Sequence, residues 1–209
     1  MKRIIFLVLF GAILATGSQA QFSFGAKGGL TIADMDLDVE PDTAIDFILG
    51  GHAGVFFKIG DGLFSFQPEV MYVRRGARKV VEGSEYYRQV NMNYIDVPLL
   101  ARLSFNLKVA ELYFNFGPYV GYMMSAKIND KTFDEEQNAW VESDYKYDFD
   151  EEFVGRWDVG AVMGAGVRVL MIIVEVRYNH GFINIANKDI LRYDNSNNKF
   201  LNVSLGVQF

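Results

Sequence analysis

Apolar and polar positions alternate along this chain in runs of roughly ten residues, the length of a tilted strand that crosses a bilayer. Eight such runs are legible, and the connections between them go long and short in turn. Three connections are minimal: Gly60-Asp61-Gly62, residues 106–110, and Leu170-Met171. Four are long and polar, covering residues 32–46, 75–90, 127–155 and 184–199. Tight turns at one end and large loops at the other are the asymmetry of a barrel in a bacterial outer membrane. The pattern predicts an all-β fold: an eight-stranded antiparallel up-and-down transmembrane β-barrel with short periplasmic turns and long extracellular loops.

Parity sharpens this prediction, because a strand in such a wall sends alternate side chains to lipid and to the lumen. In residues 157–169, Trp157, Val159, Ala161, Met163, Val167 and Val169 share one parity, and Asp158, Gly160, Gly164, Gly166 and Arg168 the other. The next run sends Ile172, Val174, Val176 and Tyr178 outward and Glu175, Arg177 and Asn179 inward. A two-residue turn at Leu170-Met171 pairs 168 with 173, 166 with 175 and 164 with 177, so the two inward parities coincide. Gly164 and Gly166 then leave room for Arg177 and Glu175. An Asp61-Gly62 hairpin pairs 58 with 65, 56 with 67 and 54 with 69, which sets Gly54 opposite Glu69. Pro68, Pro98 and Pro118 each lack a ladder donor, so a bulge or rim position is expected at each.

Lys2 and Arg3, an apolar run over 4–14 and Ser18-Gln19-Ala20 have the order of a secretory leader. Residues 1–20 are expected to be a cleaved signal peptide and 21–209 a single outer-membrane barrel domain. No segment approaches the roughly twenty apolar residues of a spanning helix, so insertion must use strands. Losing Lys2 and Arg3 takes the 20 basic residues to 18 against 26 acidic, and the formal charge from -6 to -8. That balance argues against nucleic acid as a partner. With no cysteine, disulfides and thiol chemistry are excluded.

Several local patterns then gain meaning together. They are Gly25-Ala26-Lys27-Gly28-Gly29-Leu30, Phe66-Gln67-Pro68-Glu69 with Tyr72, and Tyr94-Ile95-Asp96-Val97-Pro98-Leu99-Leu100. Gly117-Pro118-Tyr119 with Gly121-Tyr122, Gly164-Ala165-Gly166, and Arg177-Tyr178-Asn179 with Gly181 follow. The chain ends on Ser204-Leu205-Gly206-Val207-Gln208-Phe209. In this order and spacing the chain resembles the PorT-like outer-membrane β-barrel proteins of the Bacteroidota, over essentially its whole mature length. The resemblance implies an outer-membrane barrel, with the family's namesake tied to protein secretion and gliding. That role does not follow from a barrel match, because the shared motifs are ones the fold requires. A C-terminal aromatic such as Phe209 is the feature the insertion machinery of such barrels reads.

Candidate chemistry concentrates on the inward parity. Lys27, Glu69, Asp96, Arg102, Asp158, Arg168, Glu175 and Arg177 make four basic and four acidic residues. An eight-stranded barrel is just wide enough to be filled by its side chains, so these groups are expected to pair across the lumen. The alternative is a narrow ion pathway or proton relay. Residues 127–155 and 32–46 are rich in carboxylates but lack a calcium-loop spacing, so a solvated acidic rim is expected and no metal or cofactor. Arg74, Arg75, Arg78, Lys79 and Arg88 give the second long connection the opposite sign, suited to those acidic loops or to lipid phosphates. His52 falls inward opposite Met71 and His180 outward near the rim, so they share no site. With no nucleophile, base and orienter converging, catalysis is not expected.

These readings favour a barrel with a side-chain-plugged lumen, serving as a structural, anchoring or surface interaction protein in the cell envelope, and associated with a secretion or envelope complex. The alternative is a narrow pore for ions or small solutes. The expected partners are outer-membrane lipid, the insertion machinery, and a protein or polymer at the extracellular loops. A soluble lipid-binding barrel requires the apolar parity to face inward, and the inward charges oppose it.

Overall fold

The wall is built from strands that are apolar on one face only, and they satisfy their backbone groups by closing on themselves. In the computed structural model, which describes residues 22–37, 43–46, 48–81, 86–134, 139–146, 156–183 and 196–209, ten strands form. They are β1 (Phe22–Leu37), β2 (Thr43–Asp46), β3 (Ile48–Ile59), β4 (Phe64–Val81) and β5 (Tyr86–Asn106). The rest are β6 (Ala110–Asp134), β7 (Ala139–Lys146), β8 (Trp157–Val169), β9 (Ile172–Gly181) and β10 (Ser196–Gln208). Eight make the wall, in the antiparallel order β1-β3-β4-β5-β6-β8-β9-β10, and β10 pairs back onto β1 to close it. The expected leader, residues 1–20, lies outside the described residues.

The register measures the slant of the wall. Phe22 pairs with Ile59, and the row continues through Phe66, Ala101, Phe116, Met163, Tyr178 and Leu201. It returns to β1 at Ile32, ten residues above its start. A stagger of this size goes with strands tilted about 40° from the axis and a lumen that side chains fill. The row is outward-facing throughout, and the exposed band around it is apolar: Phe66 is 46% exposed, Met163 63% and Leu205 64%. Polar groups take the inside instead, with Glu69 2%, Asp158 0% and Arg102 0% exposed. Phe22, Phe24, Phe64, Phe105 and Phe209 crowd the turn end of the band, and Tyr72, Tyr122, Trp157 and Tyr178 its loop end. Such aromatic girdles mark the two membrane interfaces.

The Leu170-Met171 turn pairs 168 with 173, 166 with 175 and 164 with 177, as its length dictates, and Leu170 takes a φ of 55° to make it. The first hairpin differs from expectation by two residues. Ile59 pairs with Phe66 and Phe56 with Glu69, so Gly54 faces Met71 rather than Glu69, and His52 faces Val73 rather than Met71. The connection spans residues 60–63, with Gly60 and Gly62 at φ 113° and 111°. A two-residue slip keeps every side chain on its own face, so parity does not reveal it.

The prolines make no bulge. The β3–β4 ladder skips from Phe56–Glu69 to Ile59–Phe66 beside Pro68. The β4–β5 ladder skips from Pro68–Leu99 to Met71–Asp96 beside Pro98, and the β5–β6 ladder from Pro98–Tyr119 to Ala101–Phe116 beside Pro118. Each time pairing resumes in the same register, so a missing N–H opens the ladder locally without shifting it. The register shift falls between Asn93 and Tyr94, opposite Ser125 and Met123.

Strands also continue into all four expected loops, β10 beginning at Ser196 within 184–199. β1 reaches Leu37 within 32–46. β4 and β5 occupy all of 75–90 but residues 82–85, and β6 reaches Asp134 and pairs with β7 inside 127–155. With β2 on β4, they form an extended sheet β2-β4-β5-β6-β7 at the loop end. Beyond the bilayer neither face need be apolar, so the alternation that reveals strands fades while the ladder continues.

The turns provide a test of this register. Gly60→Val forces a β-branched residue into left-handed backbone and is expected to cost about 1–2 kcal/mol, whereas Leu170→Asn relieves strain and gains about 0.5–1 kcal/mol. Urea titration of the heat-modifiable folded band should show opposite midpoint shifts.

Candidate functional site in the barrel lumen

The inward side chains sort along the axis into three ionic tiers. In the middle tier, Glu69 comes from β4, Lys27 from β1, and Glu175 and Arg177 from β9, where a spacing of two puts both on one face. Arg177 grips Glu69 with both terminal nitrogens, Nη1 to Oε2 at 2.7 Å and Nη2 to Oε1 at 2.6 Å. Its Nη2 also donates to Glu175 Oε2 at 3.0 Å. Lys27 Nζ donates to Glu69 Oε1 at 3.0 Å and to Glu175 Oε1 at 2.9 Å, completing a tetrad of two cations and two anions. Gln67, Tyr113 and Asn115 donate further bonds to its carboxylates at 2.6, 3.1 and 2.8 Å. Glycine makes the space: a Cβ at Gly206 would lie 2.7 Å from Lys27 Cβ, and one at Gly164 would lie 2.6 Å from Arg177 Cγ.

The turn-end tier centres on Glu111. Arg102 Nη2 reaches its Oε1 at 2.7 Å, Arg168 Nε its Oε2 at 2.6 Å, and Lys58 Nζ lies 3.9 Å away. Arg102 also lies on the Tyr113 ring, 3.6 Å from its centroid, and donates to Gln67 Oε1 at 2.9 Å, linking this tier to the tetrad. The loop-end tier centres on Arg75, which pairs with Asp96 and donates to Asp158 Oδ2 at 2.7 Å. Its guanidinium is held between the rings of Tyr94 and Phe200, 4.3 and 4.1 Å from their centroids, while Tyr119 donates to the same Asp158 oxygen at 2.9 Å.

Between the middle and loop-end tiers His52 spans two strands, its Nδ1 3.0 Å from Thr31 Oγ1 and its Nε2 2.8 Å from Ser204 Oγ. Beside it lies a cavity of about 10 Å³, bounded by Lys27, Asp96, Arg177, Asn179 and Asn202 among others. That is room for about one water. Among the described residues no three His, Cys, Asp or Glu side chains cluster as metal ligands.

The eight inward charges expected from parity all lie in these tiers, although Arg168 sits at the turn-end mouth with its side chain 30% exposed. Sequence reasoning missed Lys58, Arg75 and Glu111. Arg75 was expected to leave its strand at the rim, yet it is 1% exposed and closes the lumen. Its parity matches Glu69 on β4, that of Lys58 matches His52 on β3, and that of Glu111 matches Asn115 on β6. The signal was present. For Arg75 and Glu111 it was lost by drawing β4 and β6 too short, whereas Lys58 lay inside its expected strand and was passed over.

This charged interior under an apolar exterior, in a closed eight-stranded wall, is what the family comparison bears on. A model of the outer membrane protein beta-barrel domain matches residues 18–187, most of the chain. The chain belongs to this family. It is a protein of the bacterial outer membrane. A search of curated proteins finds no match. Among solved structures, Neisserial surface protein A (NspA) aligns with 91% of this chain and 98% of its own at 13% identity and a TM-score of 0.47. The N-terminal β-barrel domain of Pseudomonas aeruginosa OprF aligns with 91% and 100% at 11% identity and 0.33. The translocator domain of the autotransporter NalP from Neisseria meningitidis aligns with 99% and 95% at 8% identity and 0.20.

The tetrad is expected to act as a unit. Glu69→Ala leaves Lys27 and Arg177 short of a counter-charge and should cost about 3–5 kcal/mol. Glu69→Leu combined with Arg177→Met should cost clearly less than the sum of the two single changes, read from urea midpoints of the folded band.

Proposed function

We propose that this outer-membrane barrel has a plugged, non-conducting lumen and acts as a structural anchor or surface interaction protein through its loop-end segments, rather than as a conduit or catalyst. One observation carries the reading: three buried ionic tiers follow one another along the axis, each hydrogen-bonded across the lumen, and the cavity beside His52 between two of them holds only about 10 Å³. A conducting path would have to separate Arg102 from Glu111, Arg177 from Glu69 and Arg75 from Asp158, each pair buried and hydrogen-bonded. Each separation strands charges where little water can follow. The extended sheet β2-β4-β5-β6-β7 supplies surface beyond the wall for a protein or polymer partner.

The resemblance to PorT-like barrels supports a Bacteroidota origin and an envelope or secretion complex as the setting. Residues 1–20 serve on this reading as the leader. Phe209, whose ring packs 5.4 Å from that of Phe24 at the closing seam, is the residue we assign to recognition by the insertion machinery.

Planar-bilayer recording of the refolded protein tests the plug. No steady conductance is expected at any moderate voltage. Steady conductance that changes in Glu69→Gln or Arg102→Gln would replace this reading with a narrow pore for ions or small solutes.

A further inference from the structure

Cations and carboxylates do not balance at the turn end of the lumen. In the tetrad two cations meet two anions, whereas here Lys58, Arg102 and Arg168 converge on the single carboxylate of Glu111. Both oxygens of Glu111 are already engaged at close range. Oε1 accepts from Arg102 Nη2 at 2.7 Å and from Ser104 Oγ at 2.6 Å, and Oε2 accepts from Arg168 Nε at 2.6 Å. Lys58 is left over: its side chain is 9% exposed, and its Nζ stands 3.9 Å from Glu111 Oε1, beyond hydrogen-bond reach. Ser65, paired with Arg102 across the β4–β5 ladder, likewise buries an Oγ that has no hydrogen-bond partner. Arg168 uses Nε on Glu111 and Nη1 on the Leu170 carbonyl at 3.2 Å, and its partly exposed side chain opens this mouth to the periplasm.

No other carboxylate at this end supplies the missing charge. The turns over residues 60–63, 107–109 and 170–171 are described throughout, and residues 1–21, which lead into β1 here, contain no Asp or Glu. Asp61 and Phe209, which carries the terminal carboxyl, are exposed, and among the described residues neither forms an ion pair with the three cations. Lys108 on the second turn adds a further cation. A lysine ammonium withdrawn from water is costly unless an acceptor, and best an anion, reaches it. Lys58 offers three N–H groups and Ser65 a hydroxyl, a donor set that suits an anion with more than one oxygen. Both side chains lie on the inward parity, as Gln67 and Arg102 do, and so are turned away from lipid.

We infer that the turn-end mouth is a binding site for one small soluble oxyanion of the phosphate kind, held by Lys58 and Arg168 with the Ser65 hydroxyl. The site lies at the opposite end from the extended sheet, and it stands whether or not the barrel conducts.

The test is isothermal titration of the refolded full-length barrel with inorganic phosphate, in a detergent that carries no phosphate and at constant ionic strength. One saturable site per barrel is expected. Lys58→Met keeps the apolar stem and should weaken binding on the order of tenfold, whereas Lys108→Met, which removes an exposed charge at the same end, should leave it unchanged. Heat-modifiable mobility confirms folding; if Lys58→Met loses its folded band, Ser65→Ala and Arg168→Gln carry the same readout, each weakening binding. Adding phosphatidylglycerol to the micelles should not displace phosphate, because the site faces away from lipid. Heats that never saturate would overturn the proposal, as would equal affinity in wild type and Lys58→Met, or an equal loss in Lys108→Met. Displacement by phosphatidylglycerol would assign the site to a lipid headgroup and overturn the soluble ligand.

Discussion

The closure of the wall with a stagger of ten residues governs everything inside it. Eight strands at that slant enclose a space that side chains fill, so any charge placed inward must find its partner there. The tetrad of Lys27, Glu69, Glu175 and Arg177 is the consequence. Its members come from β1, β4 and β9, which are not all neighbours in the sheet, so their bonds tie opposite walls together across the axis. Most soluble proteins bury an apolar core and expose charge; here the wall is solvated by lipid outside and by its own ions within.

This inversion explains why so much of the fold was legible. Alternation between Trp157, Val159, Ala161 and Asp158, Gly160 marks both faces of a strand at once, and it located the eight inward charges. Parity is a binary signal, however, and errors of two residues pass through it unseen. The Gly60–Gly62 turn moved β4 by that amount, which set Met71 rather than Glu69 against Gly54 and left both faces correct. Arg75 was misplaced for another reason. Arg74 and Arg75 together read as the end of a strand, although one faces outward and the other inward, and the paired Asp96 and Asp158 lie on β5 and β8, far off in sequence. Only the folded wall brings the three together.

The prolines show a related limit. Pro68, Pro98 and Pro118 argue for bulges when each strand is read alone. In the closed sheet each interrupts one ladder, and the neighbouring pairs on either side keep the register. A ring tolerates a local loss of hydrogen bonds that an isolated hairpin would not, because no strand depends on a single neighbour.

The seam between β1 and β10 sets Gly25 against Gln208 and Leu37 against Ser196. Partners so distant along the chain cannot meet until the whole polypeptide is available, and until then both strands present unsatisfied edges. The closure of this wall therefore depends on the last strand having been made, so the seam cannot form while the chain is still incomplete.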